Sequence, residues 1–213
     1  MILQRAGILA WIAWDASGFF EWLARRPWYS EILTDWTAAI PIVPGDRGLE
    51  VGCGPGVLSA AMQKLGVEMT GLERSPAMVK RARRNVPECT FIEGDALSIP
   101  LPNSELDVAF AASVVNVVSD PQKLVSEMAR VVRPGGRVSV LFPTPELSRS
   151  YKRIAKQRDI RGLSAAALAT WGSKAPKREP ETIEGLFTAA GLEEIGICRY
   201  FNNSIASVTG LVS

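Results

Sequence analysis

The sequence predicts an α/β fold, a doubly wound and mostly parallel sheet of seven strands with helices on both faces. Three observations predict it. Apolar strand-like runs alternate with helical ones along most of the chain, glycine or proline punctuates the switches, and the polar signatures fall at the carboxyl ends of strands. Ligands sit at those ends in open sheets of this kind.

The elements follow in order. The opening run, "MILQRAGILAWIAWDASGFF", is interrupted by Arg5 and Asp15 well short of the roughly 20 apolar residues a membrane span requires. It predicts an amphipathic helix packed on the body, with a membrane surface as the alternative support. "GLEVG" predicts the first strand, "VLSAAMQKLG" a helix closed by Gly66, and "EMTGLE" the second strand. "SPAMVKRARRNV" predicts a helix capped by Ser75 with Pro76 in its first turn. "CTFIEGDA" and "LDVAFAAS" predict the third and fourth strands. "DPQKLVSEMARVV" predicts a helix opened by Asp120 and Pro121, and "GRVSVLF" a fifth strand after a turn at Pro134, Gly135 and Gly136. The rhythm breaks from Pro143 to Pro180. It resumes with the helix "PETIEGLFTAAGL" and two last strands near "EEIGICRY" and "SIASVTGL".

One domain is therefore expected over residues 1–213: an N-terminal helical cover (1–44), a ligand-binding core (45–142), a variable insertion (143–180) and a C-terminal helix with strands (181–213). At 213 residues, 47% hydrophobic and 22% charged, the composition is that of a chain able to bury one core. A net charge of +2 gives no global field of the kind that marks a nucleic-acid binder. Cys53, Cys89 and Cys198 are far apart and form no C-x-x-C pair, which fits a reducing, cytoplasmic setting. With no histidine in the chain either, no metal site is expected.

The stretch "LEVGCGPG", Leu49 to Gly56, carries the chemistry. Gly52, Gly54 and Gly56 let the backbone turn sharply and present N–H groups to a ligand. A dinucleotide fingerprint would need glycine where Val57 stands, and an acid at Glu50 is out of place beside a pyrophosphate. Beside an ammonium group it is apt. Glu73 ends the second strand about 20 residues on, the distance at which a carboxylate meets ribose hydroxyls in nucleotide-binding folds. Together these features fit a cationic, phosphate-free cofactor bearing an adenosine.

At this point the sequence resembles the class I S-adenosylmethionine-dependent methyltransferases, of the small-molecule, type 11-like kind. The resemblance rests on "LEVGCGPG", "TGLERSPAMV", "FIEGDALSIPLPNSELDVAF" and "ARVVRPGGRVSVLF", in order from about Gly48 to Phe142. It implies a Rossmann-like sheet whose last strand is antiparallel, with S-adenosyl-L-methionine as cofactor and S-adenosyl-L-homocysteine as product. It further implies that Glu50 and the loop of Gly52, Cys53, Gly54 and Gly56 hold the methionine portion. Glu73, with Arg74 beside it, would take the ribose; Met78 would lie on the adenine face; Asp95 and Ala96 would meet the adenine amino edge. Ala112 and its neighbours would be small because the cofactor lies against them. The plainer alternatives are that Glu73 and Asp95 cap turns on a solvated rim, that Met78 packs the core, and that Cys53 fills a variable loop position.

The acceptor is a small molecule on this reading, its reacting atom (O, N, S or C) open. No Asn/Asp-Pro-Pro-aromatic motif follows the fourth strand, so nucleic acid is a poor acceptor. Asn116 stands where many relatives carry histidine, and an amide can orient a substrate but cannot take a proton. Tyr29 is the other catalytic candidate, with Asp15, Glu21 and Tyr151 as further sources of a base. Phe19, Phe20 and Trp28, with Tyr151 and Trp171 of the insertion, are candidates to cover the cofactor and line the acceptor pocket; packing against the sheet is the alternative for the tryptophans. Lys152, Arg153, Lys156, Arg158 and Arg161 give the insertion a basic face suited to solvent, an anionic acceptor or anionic lipid. The rival functions are a membrane lipid or quinone methyltransferase, a non-catalytic cofactor-binding regulator and, disfavoured by Val57, an oxidoreductase.

Overall fold

The computed structural model describes residues 2–213; Met1, the first residue of the predicted cover, lies outside the described residues. Strands β1 (Arg47–Val51), β2 (Glu68–Glu73), β3 (Thr90–Glu93), β4 (Leu106–Ala112), β5 (Val132–Pro143), β6 (Leu192–Tyr200) and β7 (Ile205–Val212) form one seven-stranded sheet. Its order is β3-β2-β1-β4-β5-β7-β6, with β7 antiparallel to both its neighbours and the other pairs parallel. The order reverses on either side of β1, which opens a crevice above its carboxyl end.

The helices are α1 (Ile2–Ala24), α2 (Pro27–Ala38), α3 (Val57–Lys64), α4 (Pro76–Asn85), α5 (Pro121–Val131), α6 (Pro145–Gln157), α7 (Gly162–Lys174) and α8 (Pro180–Ala189). The cap signals act as their chemistry requires. The Ser75 hydroxyl accepts the Met78 N–H at 3.4 Å, and Asp120 Oδ1 accepts the Lys123 N–H at 2.9 Å, so each satisfies a first-turn donor.

Two apolar cores sandwich the sheet. One face packs Trp28, Ile32, Trp36 and Met62, with Leu147 and Leu168 of the insertion; the other packs Leu124, Met128, Ile183 and Phe187. Trp36 is fully buried, and its Nε1–H donates to Ser139 Oγ at 2.8 Å, which in turn lies 2.7 Å from Thr209 Oγ1. This polar chain inside the core locks α2 onto β5 and β7 without leaving the indole donor unpaired.

Three features depart from the expected elements. The Pro134 to Gly136 turn lies inside β5, because Val132 already pairs with Leu106 and the ladder resumes at Arg137 with Val108, the intervening residues forming a bulge. The single N-terminal helix is kinked at Asp15 (φ −142°, ψ 74°), whose Oδ1 accepts the Gly18 N–H at 2.8 Å and so caps the second run from within. The insertion is two helices, α6 and α7, the latter lying along α1. Among the described residues no helix is long and apolar enough to cross a membrane.

Candidate active site

The turn from β1 into α3 builds the floor of the site. Gly52, Gly54 and Gly56 take φ of 72°, 53° and 81°, the left-handed region that glycine enters without strain. A Cβ on Gly52 would lie 2.4 Å from Val114 Cγ2, whereas one on Gly54 would meet only Met78 Sδ, at 3.9 Å. Gly54 thus faces open space. Glu73 ties this loop to the end of β2: its Oε2 accepts the Gly54 N–H at 3.1 Å and its Oε1 accepts the Ser75 N–H at 2.9 Å.

Glu50, at the end of β1, is buried, and the Ser59 hydroxyl of α3 donates to its Oε2 at 2.5 Å. Burial pushes its carboxyl up to about 8, partly offset by the Ser59 hydrogen bonds and reinforced by the charge of Glu73. Burial likewise drives the Cys53 thiol well above its ordinary value, leaving it an unreactive filler of the loop. Tyr29 of α2 is pushed up to about 12 by burial, against the hydrogen bond of Ser113 and with the Glu50 charge adding to the rise.

These groups share one cavity of about 700 Å³ above the carboxyl ends of β1, β2 and β4. Of the residues singled out in the sequence, Glu50, Gly52, Cys53 and Gly54 form its floor. Glu73, Arg74, Met78, Asp95 and Ala96 come from the β2 and β3 side, and Tyr29, Phe20 and Ala112 from the opposite one. Asp95 is set by its own loop, its Oδ1 accepting the Leu97 N–H at 2.9 Å.

The remaining candidates lie elsewhere. Gly56 caps α3 against Phe91, where a Cβ would come within 2.8 Å of the ring. Phe19 turns into the core, its ring centroid 5.6 Å from Trp11 and 5.9 Å from Trp22. Trp28 sits between Trp171 and Phe201, each at 6.2 Å, and Tyr151 packs on Gly172. The reason is helix packing: Trp171 of α7 lies against Trp28 and Tyr29 of α2, and Tyr151 lies at the seam of α6 with α7, which takes the aromatics of the insertion away from the cavity. Trp171 instead backs Tyr29, ring edge to face at 5.5 Å. Asn116 is buried outside the cavity, its Nδ2–H donating to the Pro176 carbonyl at 3.1 Å. Asp15 and Glu21 pair with Arg81 at 3.6 and 3.7 Å and do not line the cavity.

Sequence reasoning missed the apolar wall. Leu23, Ala24 and Leu33 line the cavity from the N-terminal helices, and Val114, Val117 and Val118 from the turn after β4. The signal was present: Phe20, Leu23 and Ala24 fall at i, i+3, i+4, and Tyr29 with Leu33 at i, i+4, so each set shares one helix face.

Such a sheet order, with a glycine floor and acidic residues at successive strand ends, is the architecture of the class I S-adenosylmethionine-dependent methyltransferases. Residues 49–140 of the chain match the family model described as a methyltransferase domain. The chain is 34% identical over 130 residues to a demethylmenaquinone methyltransferase of Renibacterium salmoninarum, covering 61% of this chain and 54% of that one. It is 32% identical over 123 residues to a malonyl-[acyl-carrier protein] O-methyltransferase of Serratia marcescens, covering 55% and 48%. The matches span about half the length of these curated relatives. Among solved structures, a SAM-dependent methyltransferase of Thermotoga maritima superposes with a TM-score of 0.71 at 20% identity, covering 97% of this chain and 99% of that one.

Proposed function

We propose that the chain transfers the methyl group of S-adenosylmethionine to a small-molecule acceptor. The observation that supports it is the convergence of the Gly54 floor, Glu73 and Asp95 on one cavity, with Met78 beside them. The residues suit the cofactor. The open space over Gly54 is what a backbone in contact with a ligand requires, since any side chain there would fill it. Glu73, already oriented by two N–H groups, is an acceptor for ribose hydroxyls, and Asp95 for an exocyclic amine. Glu50 is a buried carboxyl waiting for a cation, which an amino-acid ammonium supplies.

When bound, the cofactor supplies an electrophilic methyl on a sulfonium. The protein's part is to align the acceptor in line with that methyl and to exclude water. Phe20, Leu23 and Leu33 form the cover over the floor, so α1 and α2 act as the lid of residues 1–44. Glu50, its carboxyl pushed up to about 8 by burial, is engaged with Ser59. Residues 1–213 act as one unit in this reading, with the acceptor as the partner and no need of nucleic acid.

Calorimetry with S-adenosylhomocysteine, followed by mass spectrometry of cell extracts incubated with labelled cofactor, tests the proposal. Cofactor binding with no labelled product would favour the non-catalytic regulator. A second reading, a methyltransferase for membrane lipid or quinone, is favoured by the outer face of α1, where Leu3 (87%), Leu9 (45%) and Trp14 (89%) are exposed. Liposome co-sedimentation separates the two.

A further inference from the structure

The acceptor half of the cavity has a chemical character of its own. Its walls are Phe20, Leu23 and Leu33 from the two N-terminal helices and Val114, Val117 and Val118 from the turn after β4. The charged residues lining the cavity are Glu50, Glu73, Arg74 and Asp95. Three of these four, Glu73, Arg74 and Asp95, belong to the β2 and β3 side. The nearest cations of α1 and α2 are used elsewhere: Arg25 pairs with Glu21 at 2.9 Å, and the Arg26 guanidinium lies 4.8 Å over the Trp22 ring. A carboxylate or phosphate entering this half would therefore lose its water and meet no counter-charge, while facing Glu50 and Glu73.

Three hydroxyls interrupt the apolar wall: Tyr29, with Ser113 and Ser119 at the two ends of the turn after β4. The Tyr29 side chain is half-buried at the cavity wall, its hydroxyl beside Ser113 just after β4 and its ring backed by Trp171. A buried hydroxyl in an otherwise apolar site discriminates strongly, because a ligand without a matching group leaves it unpaired.

Resting on the methyltransferase reading, we infer that the acceptor is an uncharged, apolar molecule bearing one weakly acidic hydroxyl of the phenol or enol class, and that Tyr29 is the positioning residue that hydrogen-bonds it. Tyr29 stays protonated through the neutral range, so it donates to the acceptor oxygen and does not deprotonate it. The hydroxyl proton leaves to solvent. The oxygen's electron pair then forms the O–C bond as the S–C bond breaks, and that bond's pair remains on sulfur as a neutral thioether. A weakly acidic hydroxyl is what permits this without a histidine. An aliphatic alcohol would hold its proton too tightly.

The test is equilibrium binding of three probes of one shape, 2-naphthol, 2-naphthoate and 2-naphthylmethylammonium, to the full chain, free and loaded with S-adenosylhomocysteine. Naphthol should bind about tenfold tighter than naphthoate in both forms, and tighter than the ammonium once S-adenosylhomocysteine occupies the side of Glu50 and Glu73. Tyr29→Phe should reduce naphthol affinity about tenfold while S-adenosylhomocysteine binding stays within twofold. Val117→Arg, at a position 60% exposed on the rim and so safe for folding, should raise naphthoate affinity. Naphthoate binding as tightly as naphthol, or naphthol affinity indifferent to Tyr29→Phe, would overturn the inference. Failure of S-adenosylhomocysteine to bind would overturn the methyltransferase reading instead, and naphthol selectivity in the free chain would then define only the ligand class of the cavity.

Discussion

The Ser59 hydroxyl lies 2.5 Å from Glu50 Oε2, inside the protein at the cavity floor. This pair holds a carboxyl in a dry place where only a cation can make ionisation comfortable. A cation bound beside Glu50 would draw that proton off, so binding and proton release are expected to be linked.

The first prediction concerns pH and Glu50. Burial raises its folded-state pKa to about 8, so between the ordinary carboxylate range and that value the folded chain keeps a proton the unfolded chain has lost. Stability of the free protein should therefore fall as pH rises from about 4.5 to about 8, and level off above. Ser59, Glu73 and Tyr29 are the groups facing it, and the charge of Glu73 acts in the same direction. Glu50→Gln keeps the hydrogen bond to Ser59 without the charge. At pH 8.5 it should stabilise the free chain by on the order of 2 kcal/mol, roughly a 5 °C gain in Tm, and at pH 5 by nothing measurable. Thermal melts across that range check this; equal melting at both pH values would remove the buried proton from the account.

Glu73 is expected to act twice, on the ligand and on the loop that carries it. Glu73→Ala should weaken S-adenosylhomocysteine binding by about 1.5 to 3 kcal/mol, or roughly ten- to a hundredfold. Glu73→Gln keeps one acceptor for the Gly54 N–H and should lose less than the alanine variant. Calorimetry giving wild-type affinity for both would sink the ribose assignment.

Much of this was legible in the sequence because its signals are local. The caps at Ser75 and Asp120, the left-handed glycines after Leu49 and the acids closing β2 and β3 are each decided within a few residues of chain. The lid was not. Phe19 and Phe20 are adjacent in sequence, yet one is 4% exposed in the core and the other faces the cavity, because neighbouring residues point in different directions round a helix. The aromatics of the insertion, Tyr151 and Trp171, are drawn from the cavity by packing of α6 on α7 and of Trp171 on Trp28 and Tyr29, the latter a contact between distant segments that no local pattern encodes. Asn116 was placed beside the chemistry by its position in the motif order, and its amide in fact anchors the chain at Pro176.

A third prediction follows from the kink at Asp15. With Asp15 capping the Gly18 N–H, the run from Gly18 to Ala24 is a short helical segment able to settle over a ligand as a unit. Amide exchange from Phe20 to Ala24 should slow when S-adenosylhomocysteine is added, since Phe20, Leu23 and Ala24 line the cavity. Exchange in the first run, around Ile8, should change less. Uniform protection of all of α1, or none of it, would show that the kink does not separate a lid from its support.

The last prediction concerns the proton of the acceptor. The chain has no histidine, Asn116 is outside the cavity, and Asp15 and Glu21 are paired with Arg81. Tyr29, pushed up to about 12, holds its own proton throughout the working range, because a raised tyrosine ionises only at still higher pH. Proximity and desolvation are thus left to carry the rate, without the roughly 10² to 10⁴ that acid/base catalysis contributes elsewhere. The pH dependence of kcat/KM should then follow the acceptor: two phenols of equal shape but different pKa should give profiles displaced by the same interval. Tyr29→Phe should lower both curves without moving either inflection. An inflection near 8 shared by both phenols and abolished by Glu50→Gln would show instead that the buried carboxyl at the floor is the base.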